Sequence, residues 1–177
     1  AASLSRYGES LPLTPFMDEW MQDSLVFDKA YATGTRTTRG LEAITLSIPP
    51  TPGRSVVTRP DNGNMYSLGR VFAEQNYDVA YVYGGRGFFD NMNTFFSGNG
   101  YRIVDQTMFE DEEVEFSNAW GVDDASLFRK VIQQADADFE LQKPFFFHVM
   151  TVSNHQPFTY PEGKIDLPSG IGRNGGI

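Results

Sequence analysis

The segment Phe145–Val152, FFFHVMTV, constrains the fold more than any other part of the sequence. It is a short, unbroken apolar run, too brief for an ordinary helix and without the alternation of a half-exposed strand. It therefore predicts a central strand buried on both sides. A second apolar run, Val79–Tyr83, leads directly into Gly84-Gly85 and predicts another strand, with a shorter one at Ile103-Val104. Helix signals lie between these runs. Ser67 caps a segment with Leu68, Val71 and Phe72 that ends near Asn76, and a helix is expected over Asn91–Phe96. Asp123 or Asp124 caps a longer helix with Leu127, Val131, Ile132 and Ala135 on one face. Strands alternating with helices predict an α/β fold, a mostly parallel sheet flanked by helices.

The N-terminal part reads in the same way. Thr14-Pro15 opens a helix carrying Phe16, Trp20 and Met21, and Leu25–Phe27 with Lys29–Tyr31 predicts a strand. Thr33–Thr38 is a polar turn, and Leu41, Ile44 and Ser47 continue as a short helix that Pro49-Pro50 ends. Residues 49–64 form a Pro-, Gly- and Asn-rich loop, and long loops inside compact domains are often functional. Phe109–Glu115 is acidic and exposed, and the tail from Pro161 shows no periodicity. In parallel α/β folds, ligands sit beyond the carboxyl ends of strands. Thr33–Thr38, Gly84–Asn93 and Ser153–Phe158 are the segments expected there.

Composition excludes several functions. The net charge of -9, without a basic run longer than two residues, argues against nucleic acid as a partner. The absence of cysteine excludes disulfides, thiolate metal sites and a Cys nucleophile. No apolar stretch reaches the ~18 residues needed to span a bilayer, and no signal-peptide pattern opens the sequence, so a soluble piece is expected. The length of 177 residues suits one domain with a real core.

Each candidate segment carries a chemical and a plain structural reading. Thr33, Thr35, Thr37 and Thr38 with Arg36 and Arg39 stand just before a helix, where free N–H groups and the helix dipole favour an anion. A threonine hydroxyl there becomes a nucleophile only with a metal, a base or such a field. The same residues also suit a simple helix cap. His155, in a loop straight after the apolar run, is placed to bind an anionic head group or to act as a general acid, or is polar surface. His148 lies within the run and reads as a core residue. In GGRGFFDNMNTFF, aromatic rings beside amides suit a polyol or glycerol head group, or a helix start capped by Asp90. The glycines lack the acidic residue of a dinucleotide fingerprint.

Together the blocks YATGTRTTRGLEA, TLSIPPTPGRSVV, YVYGGRGFFDNMNTFF, NGY, NAWGVDD and KPFFFHVMTVSNHQPFTYPEG resemble the lipoteichoic acid synthase-like phosphoglycerol transferases. These belong to the sulfatase branch of the alkaline phosphatase superfamily. The resemblance runs from about Leu13 to Gly170, so that residues 1–177 would form the N-terminal and central part of one catalytic domain. It implies a threonine nucleophile that is also a metal ligand, forming a phospho-threonine ester before the head group passes to an acceptor alcohol. The family's Gly-Thr-x-Thr pattern falls on Gly34-Thr35-Arg36-Thr37 and favours Thr37, with Thr38 as fallback. The head-group histidine falls on His155, the aromatic and polar contacts near Phe89 and Asn91 in place of a tryptophan and an arginine, and Arg36 joins them.

The resemblance further implies a divalent cation, Mn²⁺ or Mg²⁺, a phosphatidylglycerol-like donor lipid and a polyol or glycan acceptor. It implies a membrane-anchored protein whose catalytic part is periplasmic or extracellular. A metal-binding Glu is expected on a strand before Ala1, which Ser3–Ser10 does not supply, and an Asp-His pair after Ile177. The chain by itself is then expected not to bind the catalytic metal tightly or to turn over. A formylglycine-type sulfatase would need a Cys or Ser with x-Pro-x-Arg, which this turn lacks. Phosphoethanolamine transferases share the turn but usually carry disulfides. The alternatives to phosphoglycerol transfer are a sulfatase- or phosphodiesterase-type hydrolase or a phosphoethanolamine transferase of the same superfamily, and a non-catalytic module binding glycerol phosphate.

Overall fold

A computed structural model of the chain describes Leu13–Ile177, so Ser3–Ser10 lies outside the described residues. The chain forms two compact units. One is Ala32–Val152; the other joins the described residues up to Tyr31 to Ser153–Ile177.

The larger unit is built on three parallel strands, β1 (Asp78–Tyr83), β2 (Arg102–Val104) and β5 (Phe145–Met150), in the order β2-β1-β5. A two-residue antiparallel pair, β3 (Ser117–Asn118) with β4 (Gly121–Val122), stands apart from them. Side chains alternate across β1 as strand geometry requires. Val79, Tyr81 and Tyr83 enter one core with Leu41, Phe95, Phe96 and Tyr101, while Ala80 and Val82 enter another with Val104, Val122 and Leu127. Helices α2 (Thr37–Leu46), α3 (Leu68–Ala73) and α4 (Met92–Gly98) contribute to the first core, and α5 (Asp124–Glu140) to the second. The sheet thus has helices on both faces, as α/β architecture demands.

Local chemistry explains the helix starts. Ser67 accepts a hydrogen bond from the Arg70 N–H and Asp123 from the Ser126 N–H, each relieving an unpaired donor of the first turn. Of the two aspartates expected to cap α5, Asp123 does so. His148 is partly buried, with its ring among Tyr81, Phe96 and Tyr101 at centroid distances of 5.8, 5.2 and 6.4 Å. Burial lowers its pKa, so the ring is neutral near pH 7.

Several expectations are corrected. The apolar run does form a strand, but β5 is only half-buried and lies at the edge of the sheet among the described residues; β1 is the central strand. Apolarity marks what a strand's side chains avoid, not how many neighbours it has. Leu25–Tyr31 forms no strand. Leu25, Phe27 and Tyr31 are 74–86% exposed, and no described strand supplies the backbone partners that extended chain needs. Thr33–Thr38 therefore does not follow a described strand. On α5, Ile132 is 60% exposed, off the face that buries Leu127. Helix α4 starts at Met92 rather than Asn91, because Asp90 and Asn91 take left-handed backbone angles.

The smaller unit carries α1 (Pro15–Trp20), where Thr14 gives no side-chain cap and instead donates to Asp18 Oδ2 at 3.1 Å. Its later part is ordered around Tyr160, whose hydroxyl donates to the Leu167 carbonyl and whose N–H donates to Ser169 Oγ.

Candidate active site

Helix α2 begins at Thr37. Arg36, the residue before it, has extended backbone and no side-chain capping bond. The plain cap reading is thus not what forms: the Thr37 and Thr38 N–H groups have no partner among the described residues. Thr37 is exposed at this end, whereas Thr38, one residue on, is buried. The helix start therefore presents one hydroxyl and unclaimed N–H groups to an anion.

A buried network fixes this end. Glu42 is fully buried; its carboxylate accepts from Arg39 Nη1 at 2.7 Å and from the Val56 N–H at 2.6 Å. The Ser55 hydroxyl lies 2.7 Å from Glu42 Oε2 and 2.9 Å from the Thr38 carbonyl, with one proton for two acceptors. Arg39 also donates to the carbonyls of Thr51 and Gly53. Burial alone would raise the Glu42 carboxyl, but its bonds from Arg39, Ser55 and Val56 outweigh that and hold it below its ordinary value. Gly34 is required in the preceding turn, since a Cβ there would stand 2.8 Å from Arg39 Cβ.

The turn after β1 carries Phe89 and Asn91, both at or near the surface. Asp105 anchors it. This buried carboxylate accepts from the Gly87 N–H (2.9 Å), Asn93 Nδ2 (2.8 Å), and the N–H and hydroxyl of Thr107 (3.0 and 2.6 Å). Here too burial pushes the carboxyl up and the hydrogen bonds bring it below its ordinary value. Residues 55–57 connect the two regions: Ser55 and Val56 bind Glu42, and Asn91 Nδ2 donates to the Val57 carbonyl at 3.3 Å. The expected residues Arg36, Thr37, Phe89 and Asn91 thus share one unit and are tied through the Pro-rich loop. His155 belongs to the other unit, exposed, with its Nδ1 3.0 Å from the Gln156 carbonyl.

Comparison with known proteins shows the family. A family model described as Sulfatase matches residues 1–166. The chain belongs to the sulfatase family. Sulfatase-family likeness extends to lipoteichoic acid synthase 2 of Bacillus subtilis, 26% identical over 162 residues, covering 89% of this chain and 24% of that protein. A solved Vibrio parahaemolyticus protein of the alkaline phosphatase superfamily superposes with a TM-score of 0.90 at 40% identity, over 98% of this chain and 43% of that one. The lipoteichoic acid synthase LtaP from Listeria monocytogenes gives 0.80 at 20% identity, over 93% and 42%, and shares the fold. The chain spans about a quarter of the curated relative and under half of either solved structure.

Enzymes of this superfamily generally use divalent metals. Among the described residues no group of three or more His, Cys, Asp or Glu side chains is arranged to hold one. Of the four buried carboxylates among the described residues, Glu42, Asp105 and Asp123 are already held by protein donors, and Asp138 lies in the last turn of α5. The described residues alone thus do not make a metal cage. No helix among them is long and apolar enough to cross a membrane. Sequence reasoning missed Glu42, Ser55 and Asp105; the spacing of Arg39 and Glu42 on one helix face was the available signal for the first.

Proposed function

We propose that this chain is the N-terminal and central part of the catalytic domain of a transferase that moves a phosphoglycerol head group from a lipid to an acceptor alcohol. Thr37 is its nucleophile. The Thr37 oxygen forms a bond to phosphorus as the bond from phosphorus to the diacylglycerol oxygen breaks, and diacylglycerol leaves carrying the hydroxyl proton. The acceptor oxygen then attacks the phospho-threonine diester, and its proton returns to Thr37. The helix start stabilises charge on the phosphoryl oxygens, as preorganised N–H donors do for developing anions. Phe89, Asn91 and Arg36 bind the head group, with His155 proposed as a further head-group ligand. Thr37 would also be one ligand of a divalent cation, Mn²⁺ or Mg²⁺, whose other ligands lie outside the described residues. The whole protein would be anchored in a bacterial membrane with this domain periplasmic or extracellular.

The observation that carries the reading is the exposure of Thr37 at an uncapped helix start, beside a buried Thr38. The test exposes the intact protein to phosphatidylglycerol with a labelled head group and locates the trapped label by peptide mass spectrometry. Label on Thr37, with transfer reduced roughly 10³-fold or more by Thr37→Ala, is expected. Label elsewhere, or transfer that survives in Thr37→Ala, overturns the assignment.

A further inference from the structure

The N-terminal ends of the strands, opposite the Gly84–Asn93 turn, hold a cluster of charge. Asp78 opens β1, Arg102 opens β2, Lys143 stands just before β5, and Asp138 lies in the last turn of α5. Both cations are committed to Asp78. Arg102 Nη2 donates to its Oδ2 at 2.5 Å and Lys143 Nζ to its Oδ1 at 3.3 Å, while Arg102 Nη1 donates to Gln134 Oε1 on α5 at 2.8 Å. Backbone bonds draw the same elements together. The Lys143 N–H donates to the Asp138 carbonyl at 2.9 Å, and the Asp78 N–H to the Pro144 carbonyl at 2.7 Å.

Asp138 is the unmatched member. It is 7% exposed, and its Oδ2 is buried with no hydrogen-bond partner among the described residues. A carboxylate oxygen so placed loses its hydration and gains no donor in return. The Asp78 carboxylate lies within hydrogen-bond reach, and the last turn of a helix carries partial negative charge, so both oppose a second anion. A neutral carboxyl removes each conflict, because its O–H becomes a donor and Asp78 its acceptor. Burial and the Asp78 charge push the Asp138 carboxyl above its ordinary 3.8, although Arg102 and Lys143 pull the other way. On Asp78, burial also pushes up, but those two cations outweigh it and hold that carboxyl below its ordinary value.

We propose that Asp138 and Asp78 share one proton, and that the pair forms a pH-sensitive joint between the end of α5 and the start of the sheet. While the proton is held, an O–H···O⁻ bond spans the joint. Its loss as pH rises leaves two carboxylates facing each other, and the turn from α5 to β5 loosens. Because the folded protein holds this proton more tightly than the unfolded chain, the stability it contributes is fully present below 3.8 and is lost as pH rises through the folded pKa. Acid therefore tightens this joint while it weakens the Glu42 and Asp105 anchors. The joint is independent of the chemistry at Thr37.

Hydrogen exchange on the intact protein tests it, read by mass spectrometry between about pH 4 and pH 7 and corrected for the intrinsic pH dependence of exchange. Protection of the Leu141, Lys143 and Asp78 amides should fall as pH rises, by up to about tenfold for each unit between the folded and unfolded pKa, while that of α3 stays level. Asp138→Asn supplies a permanent donor and should keep protection at its acid value throughout. Asp78→Asn withdraws the facing charge and should move the fall to lower pH. Parent protection that does not change with pH, or a fall that persists in Asp138→Asn, overturns the proposal. A fall that Asp78→Asn leaves in place overturns the pairing of the two carboxyls.

Discussion

At the start of α2 an exposed threonine stands over a buried carboxylate, Glu42, that is paired with a cation. After β1 an exposed aromatic and amide turn stands over a buried carboxylate, Asp105, held by hydrogen bonds from neutral groups alone. Both carboxylates are ionised against the pull of burial, and both hold a segment that the sheet itself does not. The difference lies in what removal leaves behind. Without Glu42, the Arg39 guanidinium, whose side chain is 18% exposed, loses its only ion pair among the described residues. Without Asp105, no charge is stranded, only N–H and O–H donors. A cation-backed anchor should therefore be the costlier to break, and the neutral one the more local in effect.

The largest expected effect follows directly. Glu42→Gln should destabilise the protein by about 3–5 kcal/mol, the range for breaking a buried ion pair by removing one partner. That is a large share of the ~5–15 kcal/mol that holds a typical domain folded. Denaturant unfolding measures it. A loss no greater than that of Asp105→Asn would break the contrast between the two anchors.

Asp105→Asn comes next, at about 1–3 kcal/mol, because an amide nitrogen then faces donors that had an acceptor. Its functional consequence should fall on the Gly84–Asn93 turn, raising KM for the proposed lipid donor more than it lowers kcat. The acid side of the stability curve sharpens the comparison. Each carboxyl titrates lower in the folded protein than its ordinary value, 4.5 for Glu and 3.8 for Asp. Each therefore contributes stability that is fully present above those values and is lost as pH falls through the folded pKa. Glu42→Gln and Asp105→Asn should each flatten the loss of stability below about pH 4.5. A variant whose acid limb keeps the parent's slope shows that its carboxylate was not linked to folding.

How much of this was legible in the sequence depends on which residues are asked about. The caps at Ser67 and Asp123, strands β1 and β2 and the α/β class were read from local signals, because a cap or an apolar strand is written in adjacent residues. The order of strands was not. FFFHVMTV is more apolar than many edge strands, yet β5 has one described neighbour, and only the fold assigns neighbours. Leu25–Tyr31 looks like a strand by composition and finds no ladder among the described residues. The anchors failed to show for another reason. Glu42 in TRGLEA and Asp105 in RIVDQT look like any surface acid, and the donors that bury them come from Ser55, Val56, Gly87 and Asn93, distant in sequence. The candidate nucleophile was narrowed to adjacent threonines by motif, and exposure is what separates them.

That separation sets the smallest expected effect. Thr38 is 6% exposed, and what it offers the network is its backbone carbonyl, which Ser55 Oγ approaches to 2.9 Å. Thr38→Val keeps the carbonyl and the branched shape and removes only the hydroxyl. It should change stability by no more than about 1 kcal/mol, the scale of one ordinary hydrogen bond, and leave labelling of Thr37 intact. Thr37→Val, at the exposed helix start, should be as stable and unlabelled. If Thr38→Val instead loses the label while remaining folded, the helix must open its first turn to bring the buried hydroxyl out. The Arg39–Glu42–Ser55 network would then act as a latch on the nucleophile rather than as its rigid base.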